Sequence, residues 1–359
     1  MQQRSAYRGN VPESGQPSAL REMNARRLLE SVRELGPVSR PELARHLDLS
    51  SVTIASIARS LVEAGVLLEV GTRGQGVGRK AAVLDVAPTA GMVLAVDVRL
   101  DEVAWRTMDL RGATLERDAF AMPADAERLV AFLADLTSSH LAQAAKSAIV
   151  VAVPATVRAN GVVHYFGTPG MLHGVDLAAR LAERVDSVPV VALNDINLAA
   201  MGEHRLGAAR EWSRFVFIGI RRTGIGMGLV IDGHLYQGAH GRAGEIGNLR
   251  IGSDGMPLDT HFVRLSPEAL DELAKVLAVT FAVLDLDGVV VHSEIERGYD
   301  WFTDLDAHLG ALVPFRIRTT RSALGDDAVL LGASLVGLDT LWPRLAEGGA
   351  AGTANGTGK

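Results

Sequence analysis

The chain has 359 residues, 48% hydrophobic and 22% charged, enough to bury a sizeable core over two or three domains. It has no cysteine, which excludes disulfides and thiolate metal sites, and it shows neither a secretion signal nor an apolar run near the roughly 20 residues that cross a bilayer, so a cytoplasmic chain without a membrane partner is expected. Its net charge of −6 is uneven: residues 1–80 carry 12 Lys and Arg against 8 Asp and Glu, the remainder 24 against 34, and a basic head on an acidic body points to a polyanionic partner.

Residues 1–18 are rich in Ser, Gly, Pro and Gln and read as a disordered arm. From Ala19, LREMNARRLLESVRELG places Leu20, Met23, Leu28, Leu29, Val32 and Leu35 largely on one helical face, and Gly36-Pro37 ends it. Ser39 then caps a second helix, with Pro41 in its first turn and Glu42 completing a capping box; Ser50 caps a third, closed by Gly65. Two apolar runs around a Gly/Arg-rich turn follow, so residues 19–87 predict a winged helix-turn-helix. On the third helix Ser50, Ser51, Thr53, Ser56 and Arg59 suit base edges; the wing residues Arg73, Arg79 and Lys80 suit phosphates or a minor groove, and Ser39 and Arg40 are further DNA-contact candidates.

From residue 90 the pattern is α/β and it repeats. GMVLAVDVRLDEVAWRTMDLRGATLER and RFVFIGIRRTGIGMGLVIDGHLYQG each read as a strand-turn-strand meander, and each is followed by βα units. Residues 90–345 therefore predict a duplicated actin-like or hexokinase-like (ribonuclease H-like) ATPase fold, with lobes of about 90–200 and 210–345, a cleft between them and a tail at 346–359. Asp195, after the apolar run VVALN, is a candidate general base or sugar ligand; with Asn194 it equally suits a helix N-cap.

These stretches together resemble the ROK family of repressors and sugar kinases, in its longer form with a DNA-binding head. The resemblance covers residues 19 to about 340 and rests on SRPELARHLDLSSVTIASIARSLVEAGVLLEVG, VAVPATV, VPVVALNDINLAAMGEHRLGAA, TGIGMGLVIDGHLYQGAHGRAGEIG and LGDDAVLLGAS. It implies that active members phosphorylate sugars with ATP through the Asp at position 195, and that repressor members sense a sugar or sugar phosphate.

The departures favour the repressor. The first phosphate loop, Asp-x-Gly-Gly-Thr-Lys in kinases, is Asp97-Val98-Arg99-Leu100-Asp101-Glu102 here; both glycines are gone, and Asp101 and Glu102 are expected to repel a polyphosphate. The second keeps Thr223, Gly224, Ile225 and Gly226 but has Arg222 for its leading glycine, and His292-Ser293 replace a glycine-rich turn near adenosine. The family's zinc motif has Asn248 for its His and no cysteines, so no metal is expected there, and the segment 252–266 is shortened; His261 or His292 could ligate something else, although a lone His is more often a satisfied surface or core residue.

The resemblance leaves Asn194, Asp195, Glu245 and Asn248 facing a ligand, with His173 where an aromatic platform is usual, and the glycines around Glu245 read as room for a ligand. The expectation is a catalytically inactive, cofactor-free transcriptional regulator, a repressor that binds double-stranded operator DNA as a homodimer or dimer of dimers and takes a sugar-like effector. The alternatives are an ATP-dependent sugar kinase with a regulatory head and a ligand-independent dimeric regulator.

Overall fold

The computed structural model describes residues 17–73, 81–142, 144, 146–165, 170–222, 224–264, 268–295 and 301–350. Three helices open it: α1 (Pro17–Leu35), α2 (Arg40–Leu47) and α3 (Ser51–Glu63). Strand β1 (Val38–Ser39) precedes α2, and β2 (Leu67–Arg73) and β3 (Ala81–Val86) follow α3, with β3 central in an antiparallel sheet. The Ser39 N–H and hydroxyl donate to the Glu42 carboxylate at 2.8 and 2.7 Å, and the Ser50 hydroxyl accepts from the Thr53 N–H at 3.1 Å, so both caps satisfy the otherwise orphan donors of a helix start. Asp48, left-handed at φ 53°, turns the chain between α2 and α3.

The body holds two five-stranded sheets of one topology. The first is built from β4 (Met92–Val98), β5 (Glu102–Asp109), β6 (Thr114–Ala121), helix α4 (Ala126–Leu141) and β7 (Ser147–Val153). The small hairpin β8 (Thr156–Val157) and β9 (Val163–His164) follows, then α5 (Leu177–Ala182), β10 (Val190–Asn194) and α6 (Asp195–Arg205). The second comprises β11 (Phe215–Arg221), β12 (Gly224–Ile231), β13 (His234–Leu235), α7 (Leu258–Val263), α8 (Glu268–Leu284), β14 (Gly288–Ser293), α9 (Trp301–Leu312), β15 (Thr319–Arg321) and finally α10 (Ala328–Ala350).

Strand orders are β6-β5-β4-β7-β10 and β13-β12-β11-β14-β15: in each sheet an antiparallel meander whose first strand then pairs in parallel with a strand delivered by a helical crossover. The runs VLAVDV and AIVVAV are buried along their length because helices cover the parallel part of the sheet.

Three boundaries differ from the sequence reading. Helix α1 starts at Pro17, a residue type suited to a helix's first turn, inside the expected arm. Helix α10 runs to Ala350, past the expected end of the body. More consequentially, α10 packs on α6, β4 and β7 of the first lobe and on α1 and α3, although the sequence placed it in the second lobe. Its apolar side chains face several partners, and Leu335, Leu338, Leu341, Trp342 and Leu345 share one buried cluster with Leu28, Leu29 and Val32 of α1 and Ile54 and Leu61 of α3. The segment Gly325–Ala346 is also long and apolar enough to span a bilayer, contrary to the expectation that no segment would be, but most of it is buried within the protein, as in a core helix.

Candidate functional site

The cleft lies where the loops after β4, β7, β10, β11 and β14 meet. Its centre is Arg221, the last residue of β11. Its guanidinium donates to the Asp195 carboxylate, to Asp97 Oδ2 at 3.1 Å and to Glu294 Oε1 at 2.8 Å. Arg99 adds a second cation, bonded to Asp97 Oδ2 at 2.7 Å and to Glu102 Oε1 at 2.8 Å, while Arg222 reaches both oxygens of Asp101 at 3.2 Å. Asp97 and Asp195 come from the first lobe and Arg221, Arg222 and Glu294 from the second, so ion pairs tie the lobes together across the cleft.

Asp97 is fully buried and Asp195 is 2% exposed. Burial, with Asp97 adding to it, pushes the Asp195 carboxyl above the usual carboxylate range, and Arg221 only partly offsets this. Burial also works against the Arg221 charge, but Asp195, Asp97 and Glu294 outweigh it and the guanidinium is held charged. Asp97 Oδ1 keeps no hydrogen-bond partner among the described residues. Arg99, Leu100, Pro154, Arg221, Arg222, Glu294 and Asp326 leave a cavity of about 210 Å³ beside this cluster.

The electrostatic part of the sequence argument is thereby corrected. Asp101 and Glu102 are each paired with an arginine, so their charges are offset within the chain, and Arg99, at a position where the kinases have glycine, lays its guanidinium on Asp97 and Glu102. The glycines of the second loop serve packing: a Cβ on Gly226 would lie 2.8 Å from Ile196 Cγ1, and one on Gly228 2.8 Å from Ala200 Cβ and 2.9 Å from the Ile196 carbonyl, so they seat the first turns of α6. Thr223 lies outside the described residues. The Ile225 N–H, which would face a phosphate in a phosphate loop, donates to Asp259 Oδ1 at 2.7 Å. At the end of β14, His292 Nε2 is 2.9 Å from Asp326 Oδ1, and Ser293 bonds within its own turn to Ile295.

The expected ligand residues are only partly brought together. Asn194 caps α6, its Oδ1 accepting from the Asn197 N–H at 3.0 Å and its Nδ2 donating to the Ala155 carbonyl at 3.2 Å, so both polar atoms are engaged internally. Glu245 accepts from the Thr156 hydroxyl; burial holds its carboxyl above the usual range, Thr156 works against this, and Asp195 and Asp259 add to it. Burial and the Asp195 charge push the half-buried Tyr165 phenol up to about 12. Asn248 is exposed at the end of a short 3-10 turn, and His173 is exposed with its ring 4.9 Å from that of His164.

The glycines around Glu245 are also corrected. A Cβ on Gly244, whose φ is +87°, would lie 1.7 Å from the Met227 carbonyl, and one on Gly247 2.1 Å from Asp259 Oδ1, so they press against the protein's own chain. Arg221, Glu294 and Asp259 were missed by the sequence reading. The signal available for Arg221 was a second arginine at the strand end beside Arg222; Glu294 and Asp259 carry no local pattern.

On the head, Ser39 is corrected: it is 5% exposed and spent on its cap. Arg40 pairs with Glu69 of β2 at 2.7 Å, and Ser50 and Thr53 bond each other at 2.8 Å. Ser51 and Arg59 are exposed and Ser56 half-exposed on α3. Between them Val52 is 80% exposed, a surface apolar residue the sequence reading passed over. Arg79 and Lys80 lie outside the described residues, as does the Arg73 side chain.

With this geometry in place, residues 93–261 match the ROK family. They are a ROK family domain. The xylose repressor of Bacillus spizizenii is 26% identical over 243 residues, 66% of this chain and 62% of that protein; the chain spans about three fifths of the length of the curated relatives it matches. Among solved structures, a ROK family transcriptional regulator homologous to the Escherichia coli MLC protein superposes with TM-score 0.71 over 92% of this chain and 99% of its own, at 19% identity. The ROK hexokinase of Thermus thermophilus superposes with TM-score 0.56 over 70% of this chain and 99% of its own, at 21% identity. The body therefore has the ROK fold, shared by repressors and sugar kinases alike.

Proposed function

We propose that the protein is a DNA-binding transcriptional repressor whose ROK body has lost phosphotransfer. The observation that carries the second half is Arg221: its guanidinium sits on Asp195, the position of the kinase base, and leaves that carboxylate no access to a substrate hydroxyl. A base must reach the proton it removes, and an ion-paired, buried carboxylate does not.

The first half rests on α3. Ser51, Val52, Ser56 and Arg59 form an outward face that the fold does not use, at the N-terminal end and middle of the helix that follows the α2–α3 turn, with β2 and β3 as the wing. Short hydroxyls and an arginine read base edges, and an exposed valine suits a thymine methyl. Two copies reading a symmetric site form the expected homodimer or dimer of dimers. A cytoplasmic location follows from this role.

The body is read as the sensor. A sugar-like ligand, the class suggested by the xylose repressor relative, would enter beside Glu245 and exchange a hydroxyl for the Thr156 contact, while Arg221 stays on Asp195. It would act only through its preference for one lobe arrangement. The mechanical route is continuous: Asp195 begins α6, Arg205 near its end bonds Asp339 of α10 at 2.7 Å, and α10 forms the floor of the head. Internal satisfaction of Asn194, Asp195 and Glu245 favours the second reading, a regulator without effector; a thermal-shift screen of pentoses and hexoses separates the two, since a ligand at 100 times its Kd stabilises by about 2.7 kcal/mol.

The decisive experiment selects bound duplexes from a random library with the full chain, then measures binding by anisotropy. Arg59→Ala is expected to weaken the selected site by about 1–3 kcal/mol, while Asp195→Asn leaves ligand-free binding within about twofold. An Arg59→Ala protein that binds as tightly as wild type removes the reading helix from α3. ATP turnover over a hexose panel that disappears in Asp195→Asn would restore the kinase.

A further inference from the structure

The strongest unassigned cluster lies away from the cleft, under the turn that follows Glu245. Asp254, His261 and Glu272 converge there, each offering one donor atom, with all three atoms within 4.8 Å of one another. His261 is on α7, Glu272 on α8, and Asp254 in the loop ahead of α7. The Glu272 side chain is 3% exposed and that of His261 8%, while Asp254 is about half exposed, so the cluster is closed on the protein side and open to solvent through Asp254. Ser253, Met256, Thr260, Arg264 and Glu268 complete the walls of a cavity of about 220 Å³.

Two observations indicate that something other than the three side chains belongs here. Glu272 Oε2 is buried and has no hydrogen-bond partner among the described residues, a costly arrangement for a carboxylate. The second is spacing. His261 Nε2 stands 3.3 Å from Asp254 Oδ1 and 3.6 Å from Glu272 Oε1. Charge-assisted hydrogen bonds close to about 2.7–2.9 Å, so both contacts are long for ion pairs. Donors about 2.1 Å from a tetrahedral ion stand about 3.4 Å apart, close to both distances from His261, and the third pair lies within 4.8 Å. The protein also makes room: a Cβ on Gly252 would lie 1.9 Å from Glu272 Oε1, so the loop approaches that carboxylate as closely as a backbone without a side chain permits.

We propose that Asp254, His261 and Glu272 bind one divalent transition-metal ion, Zn²⁺ best matching an imidazole and two carboxylates at tetrahedral spacing, with water as fourth ligand. The sequence reading expected no metal because the family's histidine and thiolates are lacking; this donor set is a different one, and it takes Glu272 from α8, where no local pattern marks a ligand. The ion would pin α7 to α8 and to the loop at 252–256. Because Asp259 of α7 holds the Ile225 N–H, pinning α7 fixes the loop at the cleft edge. The role is structural and independent of whether the head binds DNA.

The test uses the full chain after dialysis against a chelator, titrated with ZnCl₂ by calorimetry and with CoCl₂ by absorption. The expected result is one equivalent bound, a tetrahedral Co²⁺ spectrum displaced by Zn²⁺, and a rise in Tm on adding Zn²⁺. His261→Ala should weaken binding by about 100-fold or more and Glu272→Gln by at least about tenfold, with Asp254→Asn as a surface-side variant that keeps the fold. If wild type binds no stoichiometric ion, or if the three variants bind it unchanged, the cluster is a metal-free histidine bridge and the proposal falls. If Glu272→Gln lowers Tm equally with and without Zn²⁺, it falls as well.

Discussion

The cleft and the outer face of α3 are both rich in polar residues, yet they use them in opposite ways. In the cleft each charge has a partner within the chain: Arg221 holds Asp97, Asp195 and Glu294, Arg99 holds Asp97 and Glu102, and Arg222 holds Asp101. On α3, Arg59 has no ion pair among the described residues, and Val52 is exposed where burial would be favoured. Charge consumed internally stabilises one arrangement of the lobes, whereas charge left outside is available to a partner. Under the proposed function, recognition falls to the head and conformational control to the cleft.

Arg221→Ala is the most forceful way to break this contrast. Removing the cation leaves Asp195 and Asp97 buried without their shared partner, and losing one member of a buried ion pair costs about 3–5 kcal/mol. Urea unfolding followed by circular dichroism should show that loss, and the double variant Arg221→Ala/Asp195→Asn should recover part of it. A loss below about 1 kcal/mol would mean the cluster is solvated and the cleft open.

Trp342→Ala tests whether the two regions are joined. Trp342 is 2% exposed within the cluster that α10 shares with the head, so its removal should cost about 3–5 kcal/mol by cavity formation. Calorimetry should then resolve an early transition of the head ahead of the body, where wild type gives one. A single transition shifted as a whole would show that the head is held by other contacts.

Much of this was legible in the sequence, for identifiable reasons. Ser39, Pro41, Glu42 and Ser50 are local signals acting over one helical turn, and they located α2 and α3; the alternating apolar meanders located both sheets. The glycine losses at Arg99 and Leu100 were legible in the sequence too, and the structure shows where the Arg99 side chain goes, onto Asp97 and Glu102. What escaped depends on distance in the chain. Arg221 and Asp97 are 124 residues apart, and Glu245 and Thr156 are 89 apart. No local spacing records such pairs. The same holds for α10, whose apolar residues predict burial but not that the partners are α1 and α3.

Glu245→Gln probes the cleft through pH. Burial raises the folded-state pKa of Glu245 above its ordinary 4.5, so the carboxyl favours the folded protein below that value and this contribution is lost as pH rises through the raised one. Glutamine does not ionise. Stability of Glu245→Gln relative to wild type should therefore improve as pH is raised from about 4 towards 7, measured by urea midpoints at constant ionic strength. A difference that stays flat across this range would place Glu245 in solvent.

The smallest expected effect is also the sharpest counterpart to Arg221. Arg59→Ala removes the same guanidinium from a surface where it has no ion pair among the described residues, and such substitutions change stability by no more than about 0.5 kcal/mol. Its urea midpoint should coincide with that of wild type while its DNA affinity falls. The pair of arginines thus separates the two uses of charge in one experiment: Arg221 should move stability, and Arg59 should move binding alone. A large stability loss at Arg59 would mean that α3 spends its arginine on the fold, and its outer face would lose its claim to a partner.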